Sequence, residues 1–185
     1  AQLCGERPRG AEERAVAARS LNGLSQAVRL YLRAGRPQDA NAAAERIVRM
    51  APAEGRGYFL MARARADMPG RTNEMIASLY EACAVEPGNS RYAQTLVTAL
   101  ADAHRHDEAL DVLREFAEQG SANRTISLLT RSRVLARWGL YEQAAEALHR
   151  IQDAPDANLP GIWLRLGGEL AKLNRTEEAR EMLDH

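Results

Sequence analysis

The strongest constraint on this chain is a turn that returns about every 35 residues. Five segments look alike: Gly35-Arg-Pro-Gln-Asp-Ala40, Gly70-Arg-Thr-Asn-Glu-Met75, His104-Arg-His-Asp-Glu-Ala109, Gly139-Leu-Tyr-Glu-Gln-Ala144 and Asn174-Arg-Thr-Glu-Glu-Ala179. Their last residues are 40, 75, 109, 144 and 179, at intervals of 35, 34, 35 and 35. Chance does not keep such a period through four intervals. A fixed period of this size marks a repeat architecture, in which each unit buries its apolar face only by stacking on a neighbour.

Each segment has the chemistry of a turn between two helices. Gly or Asn accepts a positive φ and ends the first helix. Thr72 and Thr176 are then expected to cap the second, with acids favoured in its first turn by the helix dipole. Pro37 falls where a second helix would start, a position that suits proline. After each turn the apolar residues recur at helical spacing: Ala109, Val112, Leu113 and Phe116 in the third unit, Ala144, Ala147, Leu148 and Ile151 in the fourth. Breakers close the second helices at Pro52, Pro87-Gly88, Gly120 and 153–158. No segment alternates β-branched residues with period two, so strands are not expected. The reading is all-α, with helix pairs at 21–34 and 37–50, 55–68 and 71–85, 90–103 and 106–118, 122–138 and 141–152, and 160–173 and 176–185.

Composition narrows the function classes. The chain has 185 residues and a formal net charge of zero, with 25 basic against 25 acidic side chains. That balance argues against a dedicated nucleic-acid binder. Cys4 and Cys83 are the two cysteines, too few for a disulfide-built scaffold or a four-thiolate zinc site. No apolar run approaches the roughly 20 residues that span a bilayer, so direct membrane insertion is not expected. Alanine is abundant, which favours helix and close helix approach. Lys172 is the only lysine, so nearly all the basic charge is arginine; a GC-rich genome would leave the same bias. The chain starts at Ala1, consistent with a removed signal segment or with a piece of a longer chain.

With these residues in hand, the chain resembles a tetratricopeptide-repeat protein, whose pattern is W-x2-L-G-x2-Y, then A-x3-F, then P. The last unit has Trp163-x2-Leu166-Gly167-x2-Leu170, then Ala179-x3-Leu183. The first has Leu24-x2-Ala27-Val28-x2-Tyr31, then Ala40-x3-Ala44, then Pro52. The third has Ala93-x2-Leu96-Val97-x2-Leu100 and Ala109-x3-Leu113; the fourth has Leu128-x2-Arg131-Ser132-x2-Leu135 and Ala144-x3-Leu148. The second departs: Tyr58-x2-Met61-Ala62 fits, but Arg65 stands where Leu or an aromatic belongs, and one extra residue precedes Gly70. The resemblance implies a right-handed superhelical solenoid of about five antiparallel helix pairs. Its units run 21–54, 55–89, 90–124, 125–159 and 160–185. Residues 1–20 stand outside as a partly helical segment, either the end of a preceding repeat or an extension of the first helix. The small crossing residues Ala40, Ala109, Ala144 and Ala179, and the large Trp163 and Tyr31, are expected in the core.

In this family the first helices of successive repeats line a groove. The resemblance places Arg29, Arg33, Phe59, Arg63, Arg91, Gln94, Thr98, Leu129, Arg133, Arg137 and Leu164 on it, with Arg56 and Lys172 beside them and Asp67 and Asp102 as the acids. Guanidinium forks match carboxylates and phosphates, so the groove suits an acidic or extended ligand, with an extended segment of another protein or a peptide as the expected partner. Phe59, Leu129 and Leu164 would be its apolar anchors. The asparagines with which some members clamp a chaperone's C-terminal carboxylate are missing at the corresponding positions, so that role is not expected.

Other features mimic chemistry. His104-Arg-His106-Asp107 resembles a metal site but occupies a helix–helix turn. Cys83 reads as a small apolar filler. Gly167-Gly168 follows no strand and is expected to serve close helix packing rather than a phosphate. The acid pairs Glu12-Glu13, Asp107-Glu108 and Glu177-Glu178 sit near helix starts, where the dipole accounts for them. No catalytic residue, cofactor or metal is expected. The sequence thus reads as a non-enzymatic interaction scaffold. The alternative is a periplasmic component of a bacterial polysaccharide export or assembly machine, with an anionic polysaccharide as ligand. Bacterial cytoplasm and periplasm both remain open. The short fifth unit leaves two expectations, either more chain in the full protein or a contact between repeat ends of two copies.

Overall fold

The computed structural model describes residues 9–151 and 167–183, and every regular element among them is helical. In chain order these are α1 (Arg9–Arg33), α2 (Pro37–Met50), α3 (Gly55–Ala66), α4 (Thr72–Val85), α5 (Ser90–Asp102), α6 (His106–Glu118), α7 (Ser121–Arg137) and α8 (Tyr141–His149). The helical residues 167–172 (α9) and α10 (Thr176–Leu183) follow. The chain divides into two compact units, Ala1–Glu86 and Pro87–His185. In the first, α1 packs on α2 and α3, α2 on α3, and α3 on α4; in the second, α5 packs on α6 and α7, α6 on α7, and α7 on α8. Residues 9–20 are continuous with the first helix. Cys4, Trp163, Leu164 and Leu166 lie outside the described residues.

The turns explain the period. The residue that opens each repeated segment adopts the left-handed region: Gly35 at φ 67°, Gly70 at 75°, His104 at 59°, Gly139 at 78° and Asn174 at 61°. Four of the turns close in the same way. The amides of Arg36, Arg105, Leu140 and Arg175 donate to the carbonyls of Tyr31, Leu100, Leu135 and Leu170 at 2.9, 2.9, 2.9 and 3.0 Å. The amide before each donates three residues back, as in a Schellman motif. The second turn is the exception: α3 stops at Ala66, and the extra residue is taken up between Asp67 and Gly70, where the Arg71 amide reaches the Met68 carbonyl instead.

The helix starts correct one expectation. Thr72 and Thr176 are the first residues inside α4 and α10, not caps. The N-cap positions before α2, α4 and α6 hold Arg36, Arg71 and Arg105, and none makes a side-chain cap bond. Each arginine instead reaches forward three residues to an acid in the first helical turn. Arg36 pairs with Asp39 at 2.7 Å, Arg105 with Glu108 at 2.6 Å, and Arg71 with Glu74. Arg175 holds Glu178 in the same way. These half-exposed pairs are individually weak. They place an acid against the positive end of the helix dipole. Pro37 does occupy the start of α2.

Packing follows the small residues. Ala40, Ala109 and Ala144 are fully buried. In the first unit Val28, Ala44, Ile47, Leu60 and Ala64 share one apolar cluster, with Leu24 and Tyr31 at its margin. In the second, Leu129, Ala145, Leu148, Ile151 and Leu170 form another. Each large aliphatic side chain in these clusters is worth about 1.5–3 kcal/mol of burial. Arg65, the departure from the family pattern, is a polar pin across three helices. Its guanidinium donates to Asn41 Oδ1 of α2 (3.1 Å), and to Ser78 Oγ (2.7 Å) and the Glu74 carbonyl (3.2 Å) of α4.

Candidate functional site

In a stack of like units, residues one period apart lie side by side on neighbouring helices. Arg29 on α1 and Arg63 on α3 are 34 residues apart and come together in this way. Arg33 lies one helical turn beyond Arg29, and Asp67 one turn beyond Arg63, so all four face the same concavity. Its volume is about 420 Å3, and Leu32 and Ala66 complete its lining. The three arginines are exposed. Among the described residues, no carboxylate pairs with any of them.

The same periodic logic has the opposite result in the second unit. Arg137 of α7 pairs with Asp102 of α5, 35 residues earlier, at 2.5 Å. Arg133 donates two bonds to Glu169 Oε1, at 3.0 and 2.8 Å, and Lys172 adds a third at 3.2 Å. Glu169 is 9% exposed. Burial alone pushes its carboxyl upward; the bonds and charges of Arg133 and Lys172 outweigh that and hold it below its ordinary value. These two groove arginines are therefore neutralised within the chain. Glu169 was missing from the expected set of groove acids, although its spacing of one period plus one residue from Arg133 is the signal that finds it.

The other groove residues divide sharply. Arg91, Gln94 and Thr98 share a face of α5 that borders an open concavity of about 400 Å3. Thr98 Oγ1 turns back to the Gln94 carbonyl at 2.8 Å. Asn89 caps this helix by accepting from the Arg91 amide. Arg56 bonds Asn22 Oδ1 at 3.0 Å, tying α3 to α1. Phe59 and Leu129, expected as apolar anchors, are instead 7% and 3% exposed. Leu129 is packed within the second unit's cluster, and both side chains are buried rather than presented on an open face. Leu164 lies outside the described residues.

The features that resembled chemistry have packing explanations. His106 stacks on Trp138, with centroids 3.9 Å apart and planes 18° from parallel. His104 is 6.0 Å from His106 and takes the left-handed turn position. Among the described residues, no group of three or more His, Cys, Asp and Glu could hold a metal ion. Burial pushes the Cys83 thiol up to about 11, which suppresses its thiolate. Gly168 departs from the expectation of close packing: among the described residues nothing lies within 4 Å of a Cβ built there. Among the described residues, no helix is long and apolar enough to cross a membrane.

No family model matches the sequence, and no curated protein matches it. Solved structures do. A Podosopora anserina putative kinesin light chain with nearly identical TPR-like repeats superposes with a TM-score of 0.58 at 20% identity, over 89% of this chain and 92% of that one. The chain folds as a tetratricopeptide-repeat protein. Pseudomonas aeruginosa pilF gives a TM-score of 0.56 at 18% identity, covering 91% of this chain and 75% of that chain. MamA 41-end from Desulfovibrio magneticus RS-1 gives 0.55 at 16%, covering 89% and 92%. At these identities the likeness is one of fold: helix–turn–helix units repeated along the chain.

Proposed function

We propose that this tetratricopeptide-repeat chain is a non-enzymatic interaction scaffold that takes an acidic, extended segment of a partner protein at Arg29, Arg33 and Arg63. The observation that carries the reading is their convergence on one concavity of about 420 Å3 with no carboxylate pairing them among the described residues. Three positive charges against the single negative charge of Asp67 leave the site basic, although the whole chain is neutral. Each guanidinium offers a planar fork that fits a carboxylate with two parallel bonds. The arginines stand on helices held by a packed core, so binding orders little of the receptor. Asp67 disfavours an acid at the Arg63 end and so gives the segment a direction. The ionisable groups with shifted protonation support a scaffold as well: Glu169 is held by Arg133 of another helix and by Lys172, Glu178 by His149 of another helix and by Arg175, and Cys83 is made less nucleophilic.

The test is fluorescence anisotropy of a labelled peptide of three Glu-Gly repeats, titrated with the 185-residue chain. Saturable binding that weakens with salt, and falls about tenfold in Arg29→Ala/Arg63→Ala, is expected from the loss of two half-solvated charge pairs. Equal binding by the variant would overturn the reading. Polygalacturonate serves as competitor; if it displaces the peptide at matched charge concentration, the ligand class shifts to an anionic polysaccharide.

A further inference from the structure

The second unit carries a larger cleft, of about 450 Å3, on residues that the groove does not use. It lies between α6 and α7, and four arginines surround it: Arg114 of α6, Arg124 and Arg131 of α7, and Arg150 just beyond α8. Among the described residues no carboxylate lines it. Arg124 and Arg131 are seven residues apart, two helical turns, and project from the same face. Two of the four charges are answered locally: Arg114 by Asp111 at 2.8 Å, Arg150 by Glu146 at 2.6 Å. For Arg124 and Arg131 no carboxylate partner stands among the described residues.

The floor of the cleft is apolar, made by Leu110 and Leu113 of α6 and Leu128 of α7. Ser127 fixes its depth: the buried hydroxyl donates to the Leu113 carbonyl at 2.6 Å and binds α7 to α6 directly beneath the arginines. A cationic rim over an apolar floor selects a ligand with both characters. A sugar or inorganic polyanion would satisfy the rim and leave the leucines without a partner. An apolar peptide would fill the floor and leave the guanidiniums unanswered.

We propose that this cleft is a second binding site, for a partner segment in which an acidic residue stands next to an aliphatic one. The carboxylate sits in the forks of Arg124 and Arg131, and the aliphatic side chain rests on Leu110 and Leu128. The site stands on other residues, in another unit, than the Arg29–Arg63 concavity and is independent of it.

The test uses the full chain carrying Arg29→Ala/Arg63→Ala, so that the first site is weakened and the second is read by the further loss on changing Arg124 and Arg131. A fluorescein-labelled peptide of three Glu-Leu-Gly repeats is titrated and followed by anisotropy. Saturable binding is expected, lost about tenfold on adding Arg124→Ala/Arg131→Ala and lost only partly with Arg131→Lys, which keeps the charge but not the fork. Far-ultraviolet circular dichroism verifies that each variant keeps its helices. A peptide with Gln in place of Glu, and one with Gly in place of Leu, should each bind more weakly than the parent. The proposal is overturned by absence of saturable binding, by equal affinity in the Arg124/Arg131 variant, or by a Glu-Gly peptide that binds as tightly as the Glu-Leu one.

Discussion

Gly57 measures how closely α2 and α3 are pressed together in the first unit. A Cβ built on it would sit 2.9 Å from Val48 Cγ2, 3.2 Å from Ile47 Cγ2 and 3.2 Å from the Val48 backbone nitrogen. None of these yields easily. Val48 and Ile47 are β-branched and held to one χ1 rotamer in a helix, and the nitrogen belongs to α2 itself. Overpacking of this kind costs about 1–3 kcal/mol. Gly57→Ala also gains helix propensity of about 1 kcal/mol, which masks part of the loss. Gly23, inside α1 of the same unit, removes the ambiguity because a Cβ there meets nothing within 4 Å. Gly23→Ala collects the propensity gain alone. The difference between the two variants is therefore the clash, about 1–3 kcal/mol, or roughly 3–10 °C in melting temperature. Urea and thermal unfolding followed at 222 nm read it directly. If the two variants are equally stable, the close approach of α2 and α3 is not what holds this pair.

Three further outcomes are expected. His104→Gly should stabilise the chain by about 0.5–1 kcal/mol in urea titration, because a Cβ residue at positive φ is replaced by one that pays no such cost; a loss would show that the histidine ring earns its place by contacts. Glu169 has its carboxyl held below the ordinary range when folded, so it binds a proton less readily folded than unfolded. Its stabilising share is thus complete above the unfolded value and lost as pH falls below about 4.5, and Glu169→Gln should flatten the acid limb of stability against pH. At pH 8 the Cys83 thiol, pushed up to about 11, should alkylate with iodoacetamide far more slowly in the native chain than in guanidinium, as read by peptide mass mapping.

What could be read in advance was backbone chemistry. The five turn openers were legible because a left-handed residue ends a helix whatever surrounds it. Gly35, Gly139 and Asn174 therefore announced themselves, and the period found His104 where residue type alone would not. From α2 to α7 the helices fall close to the expected spans for the same reason, since Pro37 and the buried Ala40 and Ala109 act locally, while α1 begins twelve residues early at Arg9 and α8 stops at His149. Side-chain partnerships were less legible because they depend on the register between neighbouring helices. Thr72 and Thr176 drew attention as caps, yet in four units it is the arginine just before the second helix (Arg36, Arg71, Arg105 or Arg175) that grips the acid three residues on; in the fourth unit Leu140 stands there. Arg133 and Arg137 looked free in sequence and are spent on Glu169 and Asp102. Phe59 and Leu129 failed as anchors because a family's groove positions say which way a residue faces on average. How deeply the next helix covers it is decided by the size of the neighbours. The rim of Arg114, Arg124, Arg131 and Arg150 draws on three elements, and no spacing along the chain brings them together.

The central claim is that Arg29, Arg33 and Arg63 receive a carboxylate-bearing segment. Nitrogen-15 chemical-shift mapping of the full chain, titrated with the Glu-Gly peptide, tests it at residue level. The account predicts saturable shifts concentrated at 29–33 and 63–67, including the side-chain Nε–H signals of the three arginines. Binding that leaves those signals in place and moves others would contradict it.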